Sequence, residues 1–340
     1  MYSKNCFDFL RFFFAFEILI AHLSGLSNCS SLLFLSNISN SAIAVKGFFV
    51  ISGFLVAKSY LETKSLKHYF VKRAKRILPA YIFVILLATI VLSIFSSYSY
   101  YDYFTSSSTY RYISWNLIFL NFMHPCLPGL FENNILCAVN GSLWTLKVEE
   151  GFYVVLPLIF YFVSKFKKPI FILLSLYFLS IIYFYLLQFH FNKPLLAKQL
   201  PGYLSYFVVG IFLFLYFSHL INHKIKIFII AASILMVSYY FSSNTNVFYP
   251  AAFGSIVIIA AYNLPFLNNF GKYGDFTYGL YIFHFPIIQL FKQYNFFEKY
   301  NPYLMSLVII VLTLLLAIFS WFLIEKKFLD RYKKIQKHAD

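Results

Sequence analysis

Apolar stretches of about 20 residues recur along the whole chain, and no other feature limits its fold as severely. A hydrocarbon core about 30 Å thick calls for roughly 20 residues per helical crossing, and lipid offers no water to an open backbone. Crossings are expected near residues 6–26, 42–60, 78–97, 143–163, 169–188, 201–218, 225–241, 250–265, 275–291 and 303–324. The expected fold is therefore all-α and integral to the membrane, with about ten transmembrane helices. With 61% hydrophobic and 12% charged residues, no soluble stretch is left over, so residues 1–340 are expected to form a single membrane domain. The first apolar run is too long and too charged for a signal peptide and lacks a small-residue cleavage site, so it is expected to stay in the protein.

A net charge of +16 invites a nucleic-acid partner, but the basic residues are distributed as an orientation signal instead. With the N-terminus inside, the cytoplasmic pieces hold 19 Lys and Arg and the external pieces hold 5. That bias puts both termini in the cytoplasm, and no nucleic-acid partner is expected. Residues 113–123, ISWNLIFLNFM, are apolar but too short to cross. They are read as a re-entrant segment or an external half-helix, which membrane depth tolerates only under protein cover or along a cavity.

Within the first crossing, NCFDFLRFFFAFEILIAHLSGL, stand Asp8, Arg11, Glu17 and His22. Ionisable groups at that depth cost at least ~2.5 kcal/mol each and are retained for function by default. The eleven steps from Arg11 to His22 make three helical turns plus about 20°, so both share a face with Asp8, roughly 16 Å apart along the axis. The plainer alternative is an Asp8–Arg11 ion pair near the membrane edge and a His22 bonded to a neighbouring helix.

Four further stretches carry chemistry. In KGFFVISGFLVAKS, Gly47, Ser52 and Gly53 would let another helix approach closely. In LKHYFVKRAKRILPAY, Lys72, Arg73, Lys75 and Arg76 suit anionic lipid headgroups or a phosphorylated ligand, the paired arginines favouring the ligand because a guanidinium grips phosphate with two bonds. In GSLWTLKVEEGFYVVLP, Glu149 enters an apolar helix flanked by Trp144 and Tyr153, which taken singly read as a helix-dipole charge and interfacial anchors. In TYGLYIFHFP, Tyr281 and His284 lie on one helix face, and a hydrogen-bonded structural histidine is the plain reading. Cys126 and Cys137, separated by ten residues in a region placed outside the cytoplasm, are expected to form a disulfide, although Cys29 also lies in an external loop.

Taken together these stretches resemble the membrane-bound acyltransferase family 3, whose members O-acylate surface polysaccharides and related carbohydrates. FDFLRFFFAFEILIAH is similar to the family's opening motif, with an Arg and a His eleven positions apart. GFFVISGFLVA matches its Phe-Phe-x-x-Ser-Gly element, and VKRAKRILPAY its Arg-x-x-Arg followed by Ile and Pro. LWTLKVEEGFYVVLP and TYGLYIFHFP match two further motifs in the family's order. Thr145 and Thr277 stand where Ser is usual and keep a hydroxyl; Glu325-Lys326-Lys327 stands where a Pro is common.

The resemblance implies an O-acyltransferase using acyl-CoA, acetyl-CoA being the commonest donor, as co-substrate and needing no metal. Lys72, Arg73, Lys75 and Arg76 would hold the donor's phosphates from the cytoplasm. His22 would be catalytic as a base or an acyl carrier, with Glu149 on the acceptor side. Asp8 and Arg11 would organise the donor end with Ser52 beside them, and Trp144, Tyr153, Tyr281 and His284 would support the site. The acceptor would be a cell-surface or lipid-linked carbohydrate, and the location a bacterial inner membrane. A transporter or flippase of lipid-linked sugars is the competing class; it predicts an internal repeat, and none is evident in the sequence.

Overall fold

The computed structural model describes residues 4–63, 65–240 and 247–329. The basic tail of the sequence, including Arg331, Lys333, Lys334 and Lys337, lies outside the described residues, as does Lys64. Among the described residues all regular structure is helical. The principal helices are α1 (Phe7–Ser27), α2 (Ser41–Leu61), α3 (Leu66–Leu92), α4 (Ser107–Leu117), α5 (Trp144–Lys165) and α6 (Pro169–Tyr185). They continue with α7 (Leu200–Leu215), α8 (Lys224–Tyr240), α9 (Tyr249–Asn263), α10 (Thr277–Gln293) and α11 (Pro302–Ser320).

Each expected crossing coincides with one of these helices other than α4, yet among the described residues six stretches are long and apolar enough to cross a membrane by themselves. A seventh results if the bent pair Tyr249–Asn263 and Pro265–Lys272, at 73°, is one span. Helices α8, α9 and α10 fall short because they run 17, 15 and 17 residues, roughly 23–26 Å at 1.5 Å per residue. Helix α5 has the length, but Lys147, Glu149 and Glu150 crowd its first turns. Residues 113–123 are helical only to Leu117, after which the chain turns with Phe119 at φ +62°. Phe119 stacks on Tyr81 at 4.2 Å.

Lipid-compatible surface is plain on α6, where Phe171, Leu179 and Ile182 are exposed, and on α11, where Leu304, Leu307 and Leu315 are. Exposed aliphatic rows of this kind need a hydrocarbon neighbour.

The chain divides into two compact units. One comprises residues 1–11, 45–70 and 148–272; the other comprises 12–44, 71–147 and 273–340. In the first, α2 crosses α7 with backbones in contact. A Cβ on Gly53 would sit 2.1 Å from the Phe207 carbonyl oxygen, and one on Gly210 would sit 2.2 Å from that of Val50. Small residues are what allow such an approach where no hydrophobic force draws helices together. The residue beside this contact is Ser52, whose position is thereby fixed.

Prolines interrupt α5 at Pro157 and α10 at Pro286. Each lacks the N–H that would bond the carbonyl four residues earlier. The two carbonyls left over belong to Tyr153 and Ile282, and each is taken up by a side chain from another segment. The Tyr69 hydroxyl donates to Tyr153 O at 3.0 Å, and Asn140 Nδ2 donates to Ile282 O at 2.7 Å.

Candidate active site

In the second unit His22 of α1 meets His284 of α10. Nδ1 of His22 lies 2.7 Å from Nε2 of His284, with ring centroids 5.0 Å apart and planes 16° from parallel. The network assigns the protons. Nδ1 of His284 faces the Leu280 carbonyl oxygen at 3.1 Å. A carbonyl only accepts, so this nitrogen carries the hydrogen and Nε2 of neutral His284 is an acceptor. Nδ1 of His22 must then donate, which leaves Nε2 of neutral His22 as the one nitrogen of the pair with an uncommitted lone pair. His284 is fully buried, and Phe285 meets the His22 ring edge-on at 5.4 Å. The arrangement resembles an acid–base couple in which the inner group orients the outer one.

Tyr281, one turn before His284, is locked in the same unit. Its hydroxyl reaches the Ser142 carbonyl at 2.7 Å and makes a short hydrogen bond with the Thr145 hydroxyl, which also reaches that carbonyl at 3.3 Å. A Ser would make the same bond. Thr145 is the second residue of α5, next to the half-buried Trp144. The preceding loop is closed by a Cys126–Cys137 disulfide with Cα atoms 5.3 Å apart. Gln289 of α10 holds that loop by donating to the carbonyls of Leu136 at 2.6 Å and Ala138 at 2.8 Å.

The basic segment forms the early turns of α3, with Lys72 exposed and Arg73, Lys75 and Arg76 half-buried. The four are not equivalent. Arg76 is paired with Asp275 at 2.5 Å, with 18% and 13% of the two side chains exposed. The sequence suggested a ligand phosphate for Arg76, and its guanidinium also has a carboxylate within the protein. Asp275 also accepts the backbone N–H of Thr277 at 3.2 Å, which ties the arginine to the start of α10.

In the first unit, one oxygen of Glu149 accepts from Ser52 Oγ at 3.4 Å and from the Tyr153 hydroxyl, one turn on along α5. Tyr153 is itself held through its backbone by Tyr69. The Ser52–Glu149–Tyr153 cluster thus rests on the Gly53–Gly210 crossing and on the proline-released carbonyl. Asp8 packs its carboxylate against the backbone of Gly271, and Arg11 stands one turn further along α1, half-buried. Helix α1 runs from Phe7 to Ser27, so Asp8, Arg11 and His22 all stand on it.

Sequence reading put His22 and Glu149 at the centre but did not join His22 to His284, and it missed the roles of Asp275, Asn140 and Tyr69. A signal existed for the last two. Counting four residues back from Pro157 and Pro286 names the carbonyls in need of a donor, though not the side chain that supplies it.

An all-helical membrane protein with a buried imidazole and half-buried carboxylate and guanidinium groups is the class that this geometry defines. The chain belongs to the membrane-bound acyltransferase family 3: the family's model, described as an acyltransferase domain, matches residues 4–325. It is an acyltransferase that transfers groups other than amino-acyl groups. An O-acetyl transferase of Shigella phage Sf6 is 29% identical over 97% of this chain and 98% of its own. Nodulation protein 10 of Rhizobium leguminosarum bv. viciae is 27% identical over 95% and 92%. The O-acetyltransferase OatA of Staphylococcus aureus is 25% identical, with 94% of this chain matching 56% of that longer protein. No solved structure matches the chain. Family membership favours the enzyme over the transporter reading.

Proposed function

We propose that the protein is an O-acyltransferase that moves an acyl group, acetyl in the first instance, from cytoplasmic acyl-CoA to a hydroxyl of a cell-surface or lipid-linked carbohydrate. The observation that carries this reading is the His22–His284 couple, which leaves one basic nitrogen on an otherwise fully engaged pair. The acetyl transferases among the relatives support the acyl group and the oxygen acceptor.

In this reading Nε2 of His22 takes the proton of the acceptor hydroxyl as its oxygen attacks the thioester carbonyl. The carbon–sulfur bond breaks, and the CoA sulfur receives that proton from the imidazolium. Through Nδ1–H, His22 stays bonded to neutral His284, which holds the ring and spreads the charge. If the acyl group travels on the enzyme, the same lone pair is the nucleophile. Lys72, Arg73 and Lys75 bind the donor's phosphates, and Arg76 orders their helix through Asp275. Asp8, Arg11 and Ser52 organise the donor end. Glu149, held by Ser52 and Tyr153, accepts a hydrogen bond from the sugar. Trp144 and Tyr281 support the helices on which the reactive groups stand.

The topology that goes with this chemistry is ten crossings in a bacterial inner membrane, one membrane domain, and both termini in the cytoplasm. The short helices α9 and α10, largely buried, cross where protein surrounds them, whereas α8 crosses with most of its apolar side chains exposed. The test is mass spectrometry of the host's surface glycans from cells with wild type or His22→Ala at equal membrane abundance. An ester that disappears with the variant supports the reading, and its mass names the group. Unchanged esterification with altered glycan export overturns it in favour of transport.

A further inference from the structure

Asn140 stands in none of the motifs that carry the resemblance, yet its side-chain amide is bonded at both ends close to the histidine couple. Pro286 cannot bond the Ile282 carbonyl, which is two residues from His284 on the same turn. Asn140 Nδ2 fills the place at 2.7 Å, in a bond with both groups buried. Its orientation is fixed twice over. Ile282 O only accepts, so the amide must present its NH2 group there, and Ser142 Oγ donates to Asn140 Oδ1 at 2.6 Å on the other side. Between them, Gly141 lies flush on Phe285: a Cβ there would come within 2.6 Å of the ring. Phe285 is the ring that packs on the edge of His22.

Resting on the proposed role of the histidine couple, we infer that Asn140 is a positioning residue for acyl transfer, acting as a surrogate backbone donor that sets the turn of α10 carrying His284. The Asn140-Gly141-Ser142 segment presses that turn from the external loop side. The loop behind it is anchored by Gln289 and closed by the disulfide. Loss of the amide donor leaves a bare carbonyl in a buried place and frees the turn to rotate, which moves Nε2 of His284 away from Nδ1 of His22. Misplacement of a reactive group by about 1 Å costs up to roughly a hundredfold in rate.

The test is a double-mutant cycle on the full-length protein in detergent, read as kcat and KM for CoA release with a glycan acceptor, per molecule of folded enzyme. Asn140→Ala should lower kcat about ten- to a hundredfold and leave KM for both substrates within about twofold. Pro286→Ala returns a backbone N–H to Ile282 and sets the reference, whatever its own activity. In that background Asn140→Ala should cost less than about threefold, because the surrogate is no longer needed. Losses that multiply across the cycle overturn the inference, as does an Asn140→Ala loss confined to KM or to folded yield. His22→Ala is assayed beside them. If it keeps wild-type activity, the reading of the couple fails, whereas additive losses with His22→Ala inactive sink the role of Asn140 alone.

Discussion

Replacing His284 tests the couple most directly. His284→Ala removes the acceptor that the His22 Nδ1–H has among the described residues, so the ring is free to turn or to take the other tautomer. A hydrogen bond to a group that becomes charged is worth about 1.5–3 kcal/mol. At 1.36 kcal/mol per decade this predicts a kcat lowered roughly 10- to 160-fold. Deleting a ring that is fully buried also costs about 2–5 kcal/mol of stability. The rate must therefore be measured as CoA release per folded molecule, with the folded fraction taken from detergent size exclusion. His284→Gln, whose side-chain oxygen accepts at a similar reach, should recover part of the loss. A His284→Ala enzyme with wild-type kcat would refute the reasoning. A loss as complete as that of His22→Ala would equally do so, since His284 would then be reacting itself.

Gly53→Ala places a methyl 2.1 Å from the Phe207 carbonyl oxygen; overpacking of this kind costs about 1–3 kcal/mol, seen as a lower detergent melting temperature. Unchanged melting would mean that the α2–α7 crossing opens at no cost. Replacing Cys126 and Cys137 together by Ser frees a loop closed across a sequence separation of 11, an expected loss of about 3 kcal/mol. Protease nicking between residues 126 and 143 should reveal it, and resistance equal to wild type would contradict it. Asp275→Asn leaves the half-buried Arg76 guanidinium without its acid, for about 1–3 kcal/mol. Adding Arg76→Gln should regain most of that in a thermal melt, and no recovery would mean that the pair is not what Asp275 contributes.

The helices were legible because a run of about 20 apolar residues has one stable form in lipid. The reach of the short ones was not. Whether the 15 residues of α9 suffice depends on what surrounds them, and that is a property of the packed protein. The motif residues were legible by type. His22 had to matter because an imidazole in an apolar helix needs a partner, but the partner stands 262 residues away. Arg76 and Asp275 are 199 apart, and nothing local to either names the other. Thr145 read as a conservative departure from Ser, and the bond to Tyr281 shows why the hydroxyl is what counts. Asn140 falls in none of the motifs read from the sequence. Its use follows from a proline 146 positions later, a relation that only tertiary structure creates.

The couple has a single outlet. Nδ1 of His284 meets a carbonyl, and the two inner nitrogens meet each other, so a proton can enter or leave only at Nε2 of His22. In the acyl-transfer reading, the proton that arrives from the acceptor must depart through the door by which it came. The acceptor oxygen and the donor sulfur therefore visit the same nitrogen in turn, which confines both substrates to one small volume around a single atom. Any inhibitor that fills that volume will exclude the two of them at once.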